Sequence, residues 1–231
     1  MWVIVPCKKL ELAKQRLAPI LSAAERRLLS VSMLSDTLAI ATTTAGVEGV
    51  MVVSSDPFVA DIAKSYGARC FSKHSDTNLS FALTVARSFI QAEAMNGIIT
   101  IPIDLPRLSS ADISNVLASV GDQPSVALAP AAKDNGTNLI AMSPASVIPY
   151  LYGNNSFHHH VQAAQTRQIK TTVIRSRGLS LDIDRPDDLY EFVSEPSLGL
   201  TFQYLQESGI RDRMLASNKT SSQKIAVGGT Y

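Results

Sequence analysis

The chain is predicted to fold as an α/β protein with a mixed, mainly parallel sheet flanked by helices, and three observations carry that expectation. Short apolar runs alternate with stretches of helical periodicity from Trp2 to Leu189. One run, Ile98-Ile-Thr-Ile-Pro-Ile103, is apolar at nearly every position, as a strand covered on both faces is. The alternation breaks once, at Asn135-Gly136, a hairpin signal between two adjacent apolar runs that calls for an antiparallel pair.

Taken in order, Trp2 to Val5 reads as a first buried strand ended by Pro6. Ser22-Ala-Ala-Glu25 fits a capping box ahead of a helix whose apolar residues run from Leu28 to Ile40. Gly49 to Asp56 gives a second strand with a polar end, Pro57 opens a helix toward Tyr66, and Arg69 to Ser72 is a brief strand. The polar segment Lys73 to Asn78 has the composition of a loop at a ligand, and Thr77 or Asn78 caps a helix faced by Leu79, Leu83, Ala86 and Ile90. After the Ile98 strand, Ser109 caps a helix through Val120, and Ser125 to Pro130 and Asn138 to Met142 are strands. A helix around Val161 to Ala164 follows, then strand-like Thr171 to Ile174 and Leu179 to Asp184, and a helix from Pro186 with acids in its first turn. This gives a main domain over 1–195, a helical extension over 196–216 and a Ser/Thr/Gly-rich tail over 217–231 that reads as disordered.

The charge balance, 21 Lys and Arg against 20 Asp and Glu, leaves a net charge of +1 and no global field to draw nucleic acid or an anionic membrane. Any basic site must be local. Cys7 and Cys70 are far apart with no metal-type spacing, which fits a reducing compartment, and the apolar start is too short for a signal h-region. A soluble cytoplasmic protein is expected. The segment Leu200 to Leu215 offers an apolar face to a second subunit, so a homodimer is considered.

Chemistry-bearing residues cluster after the strands, where open α/β sheets bind ligands. Asp104, beyond the Ile98 run and before Leu105-Pro106, is a metal ligand or a solvated turn residue. Asp182 and Asp184, two apart on an extended segment, share a face and call for a cation between them; Mg²⁺ suits carboxylate oxygens, although Asp184 would also serve as a helix N-cap. Lys8, Lys9, Lys14 and Arg16 follow the first strand and could neutralise a phosphate chain, or form an ordinary solvated loop. Gly136-Thr137 and Gly153-Asn-Asn-Ser156 could offer N–H and hydroxyl groups to a phosphate, against the plainer readings of a hairpin turn and an N-cap. Of His158, His159 and His160, at most one can face a site, because consecutive helical residues diverge. Neither a glycine-rich dinucleotide fingerprint nor a P-loop is present.

As an ordered set, Val5-Pro-Cys-Lys with Ala13-Lys-Gln-Arg-Leu17, Asp104-Leu-Pro106, Asp134-Asn-Gly-Thr-Asn138, Gly153-x-x-Ser-Phe157 with His160, and Leu181-Asp-Ile-Asp-x-Pro-x-Asp-Leu189 resembles the 2-phospho-L-lactate guanylyltransferase family of coenzyme F-420 biosynthesis. The resemblance covers about 1–193. It implies a nucleotide-diphospho-sugar transferase-like, Rossmann-like nucleotidyltransferase fold, GTP as donor, and Mg²⁺ held by Asp104, Asp182 and Asp184. It further implies that Thr137, Gly153 and Ser156 contact a phosphorylated acid, that Lys8, Lys14, Arg16 and Asn78 serve the nucleotide, and that Lys14 and Arg16 act on the triphosphate. The acceptors implied are 2-phospho-L-lactate, phosphoenolpyruvate or 3-phospho-D-glycerate. A metal-dependent glycosyltransferase with an Asp-x-Asp site, a sugar nucleotidyltransferase, or a non-catalytic nucleotide-binding module are the rival readings.

Overall fold

The computed structural model describes residues 1–93, 96–121 and 123–217. Its frame is a seven-stranded sheet of order β3-β2-β1-β4-β6-β5-β7. The strands are β1 (Trp2–Pro6), β2 (Gly49–Val53), β3 (Arg69–Phe71), β4 (Ile98–Thr100), β5 (Ser125–Pro130), β6 (Thr137–Ser143) and β7 (Lys170–Val173). All neighbouring pairs are parallel except those of β6, which runs against both β4 and β5. The antiparallel pair expected around Asn135 is thus present, and its reversal brings the first residue of β6 to the edge where β1, β4 and β5 end.

Alternation along the strands separates two cores. Val3 and Val5 point to one face, with α1 (Ala23–Thr43), α2 (Pro57–Ser65) and α4 (Ser110–Ser119). Trp2 and Ile4 point to the other, with α3 (Leu79–Ile90) and α5 (Ser156–Thr166). The predicted caps form: Ser22 and Glu25 make a reciprocal capping box on α1, Ser109 does so with Asp112 on α4, and Asp56 caps α2 ahead of Pro57.

Three expectations need correction. The Ile98 strand ends early, because Ile101 N–H makes a last bond to Ile4 O at 3.0 Å and Pro102 has no N–H with which to continue. The Asn135-Gly136 signal does not make a two-residue hairpin: only Asn135 has a positive φ (56°), and the strands are joined by the loop 131–136, in which Asp134 Oδ1 accepts the Gly136 N–H at 2.8 Å. The strand expected over Leu179 to Asp184 is absent; Arg177–Ser180 forms a single helical turn, α6, and 181–184 is extended without a strand partner. Leu181 and Ile183 are still buried, 3% and 0% exposed, but against helices rather than a neighbouring strand. The alternation marked an extended segment correctly and could not say what covered it.

That covering is a third apolar cluster, joining Leu17, Leu21, Leu29 and Met33 to α7 (Pro186–Val193) and α8 (Leu200–Glu207). Asp36 of α1 accepts the Leu200 and Thr201 N–H groups at 2.7 and 2.8 Å, fixing the start of α8. Phe202, Leu205 and Ile210, the apolar residues behind the dimer expectation, are buried within this same chain. The tail over 217–231 lies outside the described residues except for Ser217, which ends a helical stretch. No described helix is long and apolar enough to cross a membrane.

Leu205 is fully buried, so Leu205→Ala is expected to cost about 2–5 kcal/mol. Urea denaturation should show this as a lower midpoint in one transition, because the extension shares its core with α1 and α7.

Candidate active site

Two adjoining cavities open at the carboxyl edge of the sheet. The larger, about 380 Å³, is walled by Lys8, Lys14, Arg16, Cys7, Asp104 and Asp184. The smaller, about 240 Å³, is walled by Asp104, Asp134, Asp182, Thr137, Gly153 and Ser156. Asp104, with Pro6, Leu79 and Pro102, belongs to both. Nearly every residue singled out from sequence is therefore drawn to one place. The larger cavity carries the cations; the smaller has no Lys or Arg in its wall among the described residues. A wider surface cavity of about 500 Å³ around Ile20 and Tyr190 lies away from these residues.

The acids are assembled by the backbone. Ile183 N–H donates to Asp104 O at 3.0 Å, so the segment bearing Asp182 and Asp184 is tied directly to the one bearing Asp104. Asp188, on the first turn of α7, accepts the N–H groups of Asp184 (3.0 Å) and Arg185 (2.7 Å) and pairs with Lys133 at 2.6 Å. Arg185, not Asp184, thus occupies the N-cap position of α7, leaving the Asp184 carboxylate for the cavity.

Lys14 and Arg16 lie directly on these acids. Lys14, in left-handed backbone conformation (φ 51°), places Nζ 2.6 Å from Asp104 Oδ2 with its side chain only 8% exposed, and Arg16 pairs with Asp184. Asp182 forms no ion pair among the described residues, and Lys14, already paired with Asp104, offsets its charge only in small part. Burial, reinforced by Asp104 and Asp134, raises its pKa to about 6. Among the described residues no group of three or more His, Cys, Asp or Glu side chains is gathered closely enough to hold a metal ion as they stand. The chemistry nevertheless fits a hard cation: Asp104, Asp182 and Asp184 offer carboxylate oxygens from the walls of the two adjoining cavities.

The other wall is hydroxyl-rich. Thr137 and Ser156 are 8% and 2% exposed, and Ser156 Oγ donates to Thr137 Oγ1 at 3.1 Å. Gly153 (φ 143°) and Asn155 (φ 54°) shape the turn into α5. The first amides of α5 are spent internally, Ser156 N–H on Gly153 O and Phe157 N–H on Asn135 O, so at Ser156 the wall presents a hydroxyl more than a free helix terminus. Of the three histidines, His158 and His159 are exposed and His160 is fully buried beside Thr137. Asn78 is not drawn into the walls; its Oδ1 caps α3, accepting from Ser80 and Phe81 N–H, while the next residue, Leu79, lines both cavities. Cys7 is a neutral wall: burial pushes its thiol up to about 12.

Asp134 lines the smaller cavity without a site signature in the sequence, because an Asp before Asn-Gly reads as turn chemistry. Asp188 is legible as an acid in the first turn of α7, but its pairing with Lys133 across 55 positions has no local signature.

A family model described as "Guanylyl transferase CofC like" matches residues 1–227. The chain belongs to this family. Among relatives of this guanylyl transferase chain, a phosphoenolpyruvate guanylyltransferase of Roseiflexus sp. (strain RS-1) is 38% identical over 84% of the chain and 85% of the relative. A 3-phospho-D-glycerate guanylyltransferase of Colwellia psychrerythraea is 35% identical over 81% and 88%. A 2-phospho-L-lactate guanylyltransferase of Methanothermobacter thermautotrophicus is also 35% identical, over 82% of each chain. In fold, this family member is similar to a solved structure described as a nucleotide-diphospho-sugar transferase from Desulfovibrio desulfuricans G20, with a TM-score of 0.76 at 14% identity, covering 92% and 96% of the two chains. The nucleotidyltransferase-type sheet and the enzyme class expected from sequence are those found.

The state of Asp182 gives a signed pH dependence. Its folded pKa, about 6, lies above the ordinary 3.8, so its contribution to stability is complete below about pH 4 and is lost as pH rises through about 6. Without added metal, Asp182→Asn is expected to match the parent near the lower of these values and to exceed it in stability above the higher. Urea midpoints across that range should show the gap opening between the two and constant beyond; a gap independent of pH would contradict this state of Asp182.

Proposed function

We propose that the protein transfers the guanylyl group of GTP to the phosphate of a small phosphorylated carboxylic acid, with release of pyrophosphate, in coenzyme F-420 biosynthesis. The observation that carries this reading is the charge division at Asp104: a cation-lined cavity of nucleotide size on one side and a small acid- and hydroxyl-lined cavity on the other.

In this reading Lys8, Lys14 and Arg16 hold the triphosphate, and Thr137, Gly153 and Ser156 hold the acceptor. An oxygen of the acceptor phosphate attacks the α-phosphorus; a P–O bond forms there, the bond to the β-phosphate bridging oxygen breaks, and its electron pair leaves with pyrophosphate. A phosphate monoester has a second pKa of about 6, so the attacking group is already largely dianionic at neutral pH and requires no general base. The chain's contribution is alignment and neutralisation of charge. Asp104, Asp182 and Asp184 would hold Mg²⁺, which would supply positive charge to offset that of the phosphates. That need is acute on the acceptor side, where three carboxylates and no basic side chain line the wall. Lys14 and Arg16 now neutralise Asp104 and Asp184, and both are long enough to turn toward a phosphate chain once a cation takes the carboxylates. Phosphoenolpyruvate, 2-phospho-L-lactate and 3-phospho-D-glycerate are the acceptors to be compared, and the site is expected to act in the cytoplasm.

The test is pyrophosphate release from GTP and Mg²⁺ with each of those acids, a sugar 1-phosphate serving as the contrasting acceptor. Release with a phospho-acid is expected; release only with the sugar phosphate would transfer the chain to sugar nucleotide synthesis. Asp104→Asn should lower turnover on the order of a hundredfold or more while its circular dichroism spectrum remains that of the folded protein. Undiminished turnover would remove Asp104 from the mechanism.

A further inference from the structure

His160 is the most buried titratable group near the site, and its contacts fix more than its position. Its Nε2 lies 2.8 Å from the backbone N of Leu151, which can only donate. Nε2 must therefore be an unprotonated acceptor, and the ring proton must sit on Nδ1. Nδ1 lies 3.0 Å from Thr137 Oγ1, so this pair is a donation from His160 to Thr137, with the Ser156 backbone as a second partner of the same proton. Burial supports the same neutral form by lowering the pKa of His160 to about 4. The edge of the ring also packs near the Tyr152 ring, with centroids 5.3 Å apart and planes at 77°.

Thr137 Oγ1 consequently receives two protons, from His160 Nδ1 and from Ser156 Oγ, which occupies both of its lone pairs. Its own proton has no acceptor among the described residues, and the residue lines the smaller cavity. We propose that His160 is a positioning residue for the acceptor: by accepting the Leu151 N–H and donating to Thr137, it forces the Thr137 hydroxyl to act as a hydrogen-bond donor to an oxygen of the bound phosphorylated acid. This rests on the assignment of the smaller cavity to the acceptor. A hydroxyl free to rotate could turn a lone pair toward the ligand and repel an anionic oxygen; the fixed tautomer removes that option before the ligand arrives. The same ring joins two parts of the wall, since Leu151 leads into Gly153 and Thr137 begins β6.

The experiment compares wild type, Thr137→Val, His160→Phe and His160→Asn in pyrophosphate release, with KM measured separately for phosphoenolpyruvate, 2-phospho-L-lactate, 3-phospho-D-glycerate and GTP. Losing a hydrogen bond to a charged group corresponds to about ten- to a hundredfold. Thr137→Val and His160→Phe are each expected to raise the acceptor KM by that amount and leave the GTP KM unchanged, and the double variant is expected to be no worse than either single one. His160→Asn, whose amide can reach the place of Nδ1, should recover part of the loss. If Thr137→Val leaves every acceptor KM unchanged, the cavity assignment fails. If Thr137→Val raises it while His160→Phe does not, or His160→Phe raises acceptor and GTP KM alike, the positioning role is overturned. A long-range ¹H–¹⁵N spectrum of the wild type gives a readout independent of turnover: the Nδ1–H tautomer is expected, and the Nε2–H tautomer or an imidazolium at neutral pH would refute the proposal even where a variant fails to fold.

Discussion

The site depends on one backbone hydrogen bond, from Ile183 N–H to the carbonyl of Asp104. Beyond Thr100 the sheet offers no further ladder to hold the chain that carries Asp104, and residues 181–184 never join a strand. Two unpaired extended segments are therefore held to each other, and the carboxylates on them line two adjoining cavities that share Asp104. Burial of Leu181 and Ile183 against α1 and α7 supplies the apolar half of this arrangement, and Asp188 braces it from behind. The segment is thus placed by helix packing and aimed by a few polar contacts, two of them to Asp188 of α7, which makes its register sensitive to small shifts in α7.

Electrostatics then divides the opening. Lys14 and Arg16 pair with Asp104 and Asp184, while Asp182 is left beside two further carboxylates and resists ionisation. Opposite charges are not distributed evenly around one pocket; they are sorted to either side of Asp104, and the hydroxyls of Thr137 and Ser156 stand on the side that has no cation. Such sorting suits two anionic ligands that must approach each other, because each meets a different means of charge compensation.

Much of this was legible in the sequence, for identifiable reasons. The capping boxes at Ser22 and Ser109 and the Pro57 helix start are local devices, and local devices survive folding unchanged. The alternation of Leu181, Asp182, Ile183 and Asp184 showed which side chains turn inward, but a period of two cannot tell a strand in a sheet from an extended segment under a helix. Asn78 reads from its local sequence as a helix cap, and its side-chain oxygen serves that cap. The 3.6-residue period allows a single one of the three histidines to point inward and the family motif includes His160, but its partners Thr137 and Leu151 are close only after folding.

The backward course of β6 has a consequence for how such a site can diversify. Because β6 starts where its neighbours end, the loop 131–136, Thr137 and the turn into α5 form one wall from a single continuous stretch, about 131–160. The basic wall comes from a separate stretch near the N-terminus. Substitutions in either stretch alter one half of the opening while the other half keeps its scaffold. On the proposed function, the two ligands are read by modules that can drift independently, and a family can hold its donor constant while its members exchange acceptors.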